Sequence, residues 1–433
     1  MKRRQFVGAG LALAATWPLR GFASVLTGVG DLPAKTLAGG DVVLSGSSIE
    51  ALAASLRGNL LMQGSDGYDS TRRVWNAMFD KKPALIARCT GASDVQHAVN
   101  FAREHQLLTA VRAGGHSLSG KSSCDGGLMI DLQPMQGVRV DPEAKRAYLE
   151  AGSLLGQLDH ESAAFGLATT AGTVSHTGAA GLTLGGGIGR LGRRYGFACD
   201  NVASFDIITA DGHFLRASDD ENADLFWGLR GGGGNFGVVT AIEYRLHRMD
   251  PTVLGGNIVW PIEQARDVLR YYRDIAADAP DVVNLAPDLH NEPDGAKIGI
   301  EVVWSGDHGE GEAWLKKLRT FGKPVRDDIA PIPYVTIQTG ADEFLGPGKY
   351  YYLKSGFLTQ LKDDGIDLII DEFRRMPDWY YLFFDHGGGA YRKMAPAATA
   401  FPNRDMLFML GTIGAWPNKD GIDANIAKMR ANW

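Results

Sequence analysis

Cysteine is scarce: Cys89, Cys124 and Cys199 are the only three in 433 residues. They form no CxxC pair and no zinc-type spacing with histidine, so no metal site is expected. An odd number in a chain this long also argues against a disulfide framework. All three read as small core or loop residues. Positive charge is not in excess either. With 44 Lys and Arg against 50 Asp and Glu, the net charge is −6, which points away from nucleic acid or an anionic membrane as a partner. The longest leading apolar run, Val7 to Trp17, falls short of the roughly 20 residues that a bilayer span requires. There are no internal repeats and no low-complexity tract. What remains is an ordinary globular composition, long enough for two domains or three smaller lobes.

Glycine is abundant. The 56 glycines are nearly twice the usual share of about 7%. They cluster at 113–127, 178–192 and 231–237, a pattern that suggests backbone brought close to a ligand. The other marked feature is the start. Lys2-Arg3-Arg4-Gln5-Phe6 is a twin-arginine pattern ahead of the short apolar run, and Gly21-Phe22-Ala23 offers small residues for cleavage. This predicts a Tat-type signal peptide over 1–23, giving a periplasmic or secreted protein without stable membrane insertion once the signal is removed. The plainer alternative is a charged start leading into a buried helix.

Apolar periodicity predicts a helix over 47–63, a turn at Asp66–Asp69, a strand at Ala84–Ala87, a helix from Ser93 to His105 with Ser93 as N-cap, and a strand at Leu107–Ala113. Strands come next at 128–132, 138–140 and 146–150, then a helix from Ser153 to Phe165. Phe205 to Ala217 reads as a hairpin turning at Asp211-Gly212, and Val238 to Leu246 as a further strand. The order is α+β with a mixed sheet. Pro251 is a reasonable boundary, with an amphipathic helix at 262–277, a strand at 298–304 and aromatic clusters at 350–352, 379–381 and 383–384 beyond it.

Two motifs mislead. Gly115 to Ser122 matches GxxxxGK[ST], but a P-loop needs a helix starting at Lys121-Ser122, and the next residues, Ser123-Cys124-Asp125-Gly126-Gly127, are a turn sequence. Gly187 to Gly192 matches GxGxxG, but Gly181 to Gly186 before it is more loop than strand, which a dinucleotide fingerprint does not allow. Both stretches nevertheless present successive backbone N–H groups with few side chains in the way, as a pyrophosphate or the polar edge of a flavin requires.

The segment Arg112-Ala113-Gly114-Gly115-His116-Ser117-Leu118-Ser119-Gly120 resembles the pyrophosphate loop of FAD-linked oxidases of the vanillyl-alcohol-oxidase superfamily, berberine-bridge-enzyme-like branch. The stretch from Ala171 to Gly189, Arg194-Tyr195-Gly196, Asp200-Asn201-Val202 and Gly231 to Thr240 extend that resemblance across about 78–249. The resemblance implies an FAD domain of the PCMH type, made of two α+β subdomains over 78–249 with a leading segment at 24–77. A substrate domain over 250–433, an antiparallel sheet backed by helices, is implied to cover the flavin. His116 is implied to bond the flavin 8α-methyl. Arg112, Ala113, Gly114, Gly115, Ser117, Leu118, Gly172, Thr173, His176, Thr177, Gly181, Gly185, Gly186, Gly187, Gly189 and Val239 are implied to hold FAD. Many relatives carry a second link through cysteine. That position is Val174 here, so one covalent link is expected.

The implied activity is hydride transfer from a hydroxyl- or amine-bearing carbon of a small molecule or sugar to flavin N5, with reoxidation by dioxygen or another acceptor. Tyr391 is a candidate base, with simple packing as the alternative. Relatives usually continue past the position of Trp433, so the substrate domain is expected to be incomplete. That leaves a flavin-bearing protein without turnover as a second reading. A nucleotide-hydrolysing enzyme using the GxxxxGKS match is the third.

Overall fold

The computed structural model describes residues 26–433. The twin-arginine segment and its apolar run lie outside the described residues. Among the described residues no helix is long and apolar enough to cross a membrane.

Three large sheets carry the chain. The first has four strands in the order Asn59–Met62, Leu85–Arg88, Leu128–Asp131, Thr109–Arg112. The last three are parallel, since the crossover through helix Ala92–Glu104 returns the chain in the same direction. The second is antiparallel, in the order Phe214–Ser218, Val202–Ile208, Val238–Arg245, Arg146–Glu150, Val138–Asp141. These two sheets share one continuous core. The third starts at Thr252. Its order is Arg326–Asp327, Thr252–Pro261, Gly295–Trp304, Val283–Glu292, Tyr380–His386, Phe408–Trp416, Tyr350–Leu358, all antiparallel. This is the α+β architecture with an antiparallel sheet backed by helices.

Strand alternation decides what each face of the third sheet does. In Tyr380–His386, Leu382 and Phe384 point to the helix side, into a core with Leu269 and Tyr272 of helix Ala265–Ala277 and with Ile366 and Ile370 of helix Asp363–Phe373. Tyr381, Phe383 and Asp385 therefore face the other way, toward the lobe formed by the first two sheets.

Three local expectations need correction. The helix expected over 47–63 stops at Ser55, and Asn59–Met62 is a strand. The break has a steric cause: a methyl on Gly58 would lie 1.8 Å from the Arg88 carbonyl oxygen, so the chain there is pressed against the neighbouring strand. Ser93 is not an N-cap. The helix starts at Ala92, and Asp94 organises its N-terminus by accepting from the N–H groups of Thr90, Arg57 and Gly58 at 2.8, 2.8 and 3.1 Å. Burial opposes the charge on Asp94, yet those donors hold its pKa below the ordinary carboxylate value. The turn expected at Asp66–Asp69 runs directly into a short helix, Tyr68–Arg72.

Candidate active site

The strand Thr109–Arg112 ends where the first glycine loop begins. Arg112 is buried behind the loop, reaching Asp131 and the Thr71 carbonyl. Gly115 has a φ of 72°, a left-handed conformation that a β-carbon would strain. A methyl on Gly114 would come within 2.3 Å of the Gly178 nitrogen, so the first and second glycine loops meet backbone to backbone. The backbone N–H groups of Gly114, Gly115, His116 and Ser117 have no acceptor among the described residues. No helix starts at Lys121-Ser122, which removes the physical basis for a P-loop.

Beside these donors lies a cavity of about 420 Å³. Ala113, Gly114, Gly115, His116, Ser117, Thr177, Gly181 and Val239, all expected at a cofactor site, line it. Val111, Leu132, Leu182, Leu184 and Val238 supply apolar walls that sequence reasoning missed. A second hollow of about 650 Å³ shares Val111, Gly234, Gly237 and Val238 with the first, so the space continues toward Leu107 and Gln106.

Nine expected residues stand elsewhere. Arg112 supports the loop from behind, and Leu118 is exposed. Gly172 packs against Leu155 and Leu182. Gly185, Gly186, Gly187 and Gly189 do not line the cavity, and at the last three a side chain would meet close neighbours. Gly186 abuts Phe401, Gly187 abuts Ala198, and a methyl on Gly189 would lie 1.5 Å from the Ala171 oxygen. Thr173 lines a different cavity, and His176 touches His116.

That contact fixes tautomers. His176 Nε2 lies 3.3 Å from the Asp342 carbonyl oxygen, which can only accept, so Nε2 carries the proton. His176 Nδ1 then accepts from His116 Nε2, 2.7 Å away. His116 Nδ1 keeps its lone pair, with the Thr177 hydroxyl at 3.4 Å. Burial, and after it the adjacent His176, pushes the His116 pKa down to about 3, so the ring is neutral at ordinary pH. Trp75 stacks on His116 at 4.9 Å and on Tyr351 at 3.8 Å, which holds the imidazole plane. The Asp342 carboxylate grips Ser175 through its N–H and its hydroxyl.

The segment from Thr173 to Thr177 connects this cavity to a second one, of about 190 Å³, on the open face of the third sheet. Its walls include Arg190, Asp288, Glu301, Phe344, Tyr381, Phe383 and Asp385. Arg190 binds Glu301 through two bonds, at 2.8 and 2.9 Å. Behind Arg190, Gln338 accepts from its guanidinium and donates to Asp159 at 3.0 Å. The Asp385 side chain has no hydrogen-bond or ion-pair partner among the described residues. Burial and the nearby Glu301 push its pKa up to about 6, against the pull of Arg190.

Tyr391 is not in either cavity. It is 1% exposed among Phe197, Phe401 and Met406, and its hydroxyl bonds the Gly189 backbone. Burial raises its pKa further from the useful range. The packing alternative describes it. Tyr391→Phe is therefore expected to retain most of its turnover in steady-state assays. By contrast Gly192→Ala would place a methyl 1.6 Å from the Tyr391 oxygen, and should cost about 1–3 kcal/mol in denaturant unfolding.

Asp159 gives a second stability prediction. Burial raises its pKa to about 7 in the folded protein, against the hydrogen bond from Gln338 and the charge of Arg190. In the unfolded chain it titrates near the usual 3.9. Between those values the native state binds more protons, so this group lowers stability as pH rises. Asp159→Asn should leave stability unchanged below about pH 4 and raise it by up to about 4 kcal/mol above pH 7, measured by urea unfolding at both pH values.

Comparison with known proteins agrees with this geometry. Residues 83–218 match an FAD binding domain family. An FAD-linked oxidoreductase of Dictyostelium discoideum is 34% identical over 350 residues, covering 80% of this chain and 76% of its own. The crystal structure of 6-hydroxy-D-nicotine oxidase from Arthrobacter nicotinovorans superposes with a TM-score of 0.80 at 26% identity, over 87% of this chain and 85% of that one. The carbohydrate oxidase of Microdochium nivale superposes with a TM-score of 0.78 at 25% identity, over 89% and 87% of the two chains.

Proposed function

This chain belongs to the FAD-linked oxidoreductases, and from that premise we propose that it oxidises a hydroxyl- or amine-bearing carbon of a small molecule, with FAD bonded through His116 alone and Asp385 as the base. The observation that carries this reading is the row of four backbone donors, Gly114 to Ser117, without acceptors among the described residues, opening on a cavity lined by a neutral histidine whose Nδ1 is unprotonated.

The residues fit the cofactor. The amides without acceptors suit a pyrophosphate, the apolar walls suit a ring system, and His116 Nδ1 would be the attachment atom. Val174 is buried and has no nucleophile, which supports a single link. FAD, when bound there, supplies the acceptor for a hydride and is later reoxidised by dioxygen or another acceptor. The chain's own residues do the rest. The sheet-side cavity encloses the substrate between Tyr381, Phe383 and Phe344 and limits its contact with water. Glu301, fixed by Arg190, orients a polar group. Asp385 takes the proton from the substrate's hydroxyl or ammonium, for which a carboxyl with a pKa near 6 is suited at neutral pH.

Acid precipitation of the purified protein tests the attachment. The yellow colour should stay in the pellet, and colour in the supernatant would refute the covalent bond. Anaerobic mixing with sugars, alcohols and amines tests turnover. Flavin bleaching is expected with at least one class, and bleaching with none would favour a flavin-bearing protein without turnover. We also propose export by the Tat route, which carries folded, cofactor-loaded proteins. Replacing Arg3 and Arg4 with lysine should retain the protein in the cytoplasm, as read by cell fractionation.

A further inference from the structure

Resting on the oxidoreductase reading, we propose that the cavity on the third sheet selects small cationic amines over neutral sugars and alcohols, with Asp385 as the residue that reads the charge. Three carboxylates face this space, from three different strands: Asp288, Glu301 and Asp385. Two of them are already matched. Glu301 is held by Arg190. Asp288 is held by His290 at 2.5 Å. Against burial, which opposes its charge, the hydrogen bonds and charges of Asp288 and Glu292 hold the His290 pKa above the ordinary value, and a protonated His290 would balance Asp288.

Asp385 has no such partner among the described residues, although it is half-buried in the wall of the cavity. The space thus carries one uncompensated negative charge once Asp385 ionises. Leaving a carboxylate in that state is costly, and a ligand cation relieves the cost. A hydroxyl can donate a hydrogen bond to Asp385 but cannot balance its charge, and an anionic ligand would be repelled. The walls favour the same ligand. Tyr381 and Phe383 stand on the same strand face as Asp385, and Phe344 reaches over from the opposite side. Aromatic faces attract organic cations. The cavity's roughly 190 Å³ also favours a monocyclic ligand over a disaccharide.

The test compares two probes of the same shape that differ in charge, N-methylbenzylamine and benzyl methyl ether, with cellobiose as a sugar. They are titrated calorimetrically into the full-length holoenzyme without oxygen at pH 7.5. The amine is expected to bind at least about tenfold more tightly than the ether. In Asp385→Asn the two should come within about twofold. Should that variant fail to fold, the wild-type protein supplies the same information. Amine affinity should fall from pH 7.5 to pH 5 as Asp385 takes up a proton, while ether affinity stays flat. Glu301 with Arg190, Asp288 with His290, and the phenols of Tyr381, Tyr272 and Tyr391 are the other ionisable groups near Asp385. Equal binding of ether or cellobiose, no detectable amine binding, or selectivity that persists in Asp385→Asn would overturn the proposal. Flavin absorbance on the same samples separates the two readings. A yellow protein that prefers cellobiose defeats only the cation selectivity, whereas a colourless one defeats the oxidoreductase reading beneath it.

Discussion

His116→Ala is expected to move the yellow colour completely from the acid-precipitated pellet to the supernatant, while the folded variant still takes up FAD. The change removes the imidazole that lines the 420 Å³ cavity and leaves the four amide donors of residues 114–117 in place. Binding and bonding should therefore separate. Val174→Ala serves as the control, because it alters a buried apolar side chain and no bond, so its pellet should stay yellow. His176→Ala should give an intermediate result. Without the acceptor at 2.7 Å, the His116 tautomer is no longer fixed, and attachment should slow without being abolished. A His116→Ala protein whose flavin still resists acid would place the link elsewhere in the chain.

Asp385→Asn should reduce turnover by about 10²–10⁴-fold, the usual range for losing a general base, with flavin content and acid stability of the flavin unchanged. The pH profile gives the sharper signature. In the wild-type protein kcat/KM should rise with pH through about 6, where Asp385 loses its proton and becomes competent to accept another. Below that value the carboxyl is already protonated and cannot act as a base. The rising limb should vanish in Asp385→Asn. An unchanged limb would assign the base elsewhere, with Glu301 and Asp288 the other carboxylates facing the site.

Legibility in the sequence tracked how local each feature is. The first glycine loop could be read because it needs a fixed local pattern, with glycine at 115 for a positive φ and at 114 for close approach. The α+β order could be read from alternation and turns. Gly186, Gly187 and Gly189 were legible as unusual, but their packing was not, because their neighbours, Phe401, Ala198 and Ala171, come from other parts of the chain. Asp385 was missed for a related reason. Its proposed role depends on Glu301 and Asp288 on other strands and on Arg190 from the other lobe, which share its cavity. The one available signal was a lone acid on the polar-facing phase of Tyr380–His386, an otherwise largely aromatic strand. Tyr391 drew attention by residue type, yet a phenol whose two hydrogen bonds are both to Gly189 has no free site for a substrate proton.

The grip of Asp342 on Ser175 and His176 bears on how the protein matures. Asp342 comes from the half of the chain synthesised last, while the two residues it holds sit beside the proposed attachment point. The imidazole pair acquires its final proton arrangement only when that late segment has docked. Cofactor fixation would then report on completed assembly: a nascent or misdocked chain could pick up FAD reversibly, but would release it again. Pulse-labelled chains should accordingly gain acid-resistant flavin after, and not before, they become resistant to protease.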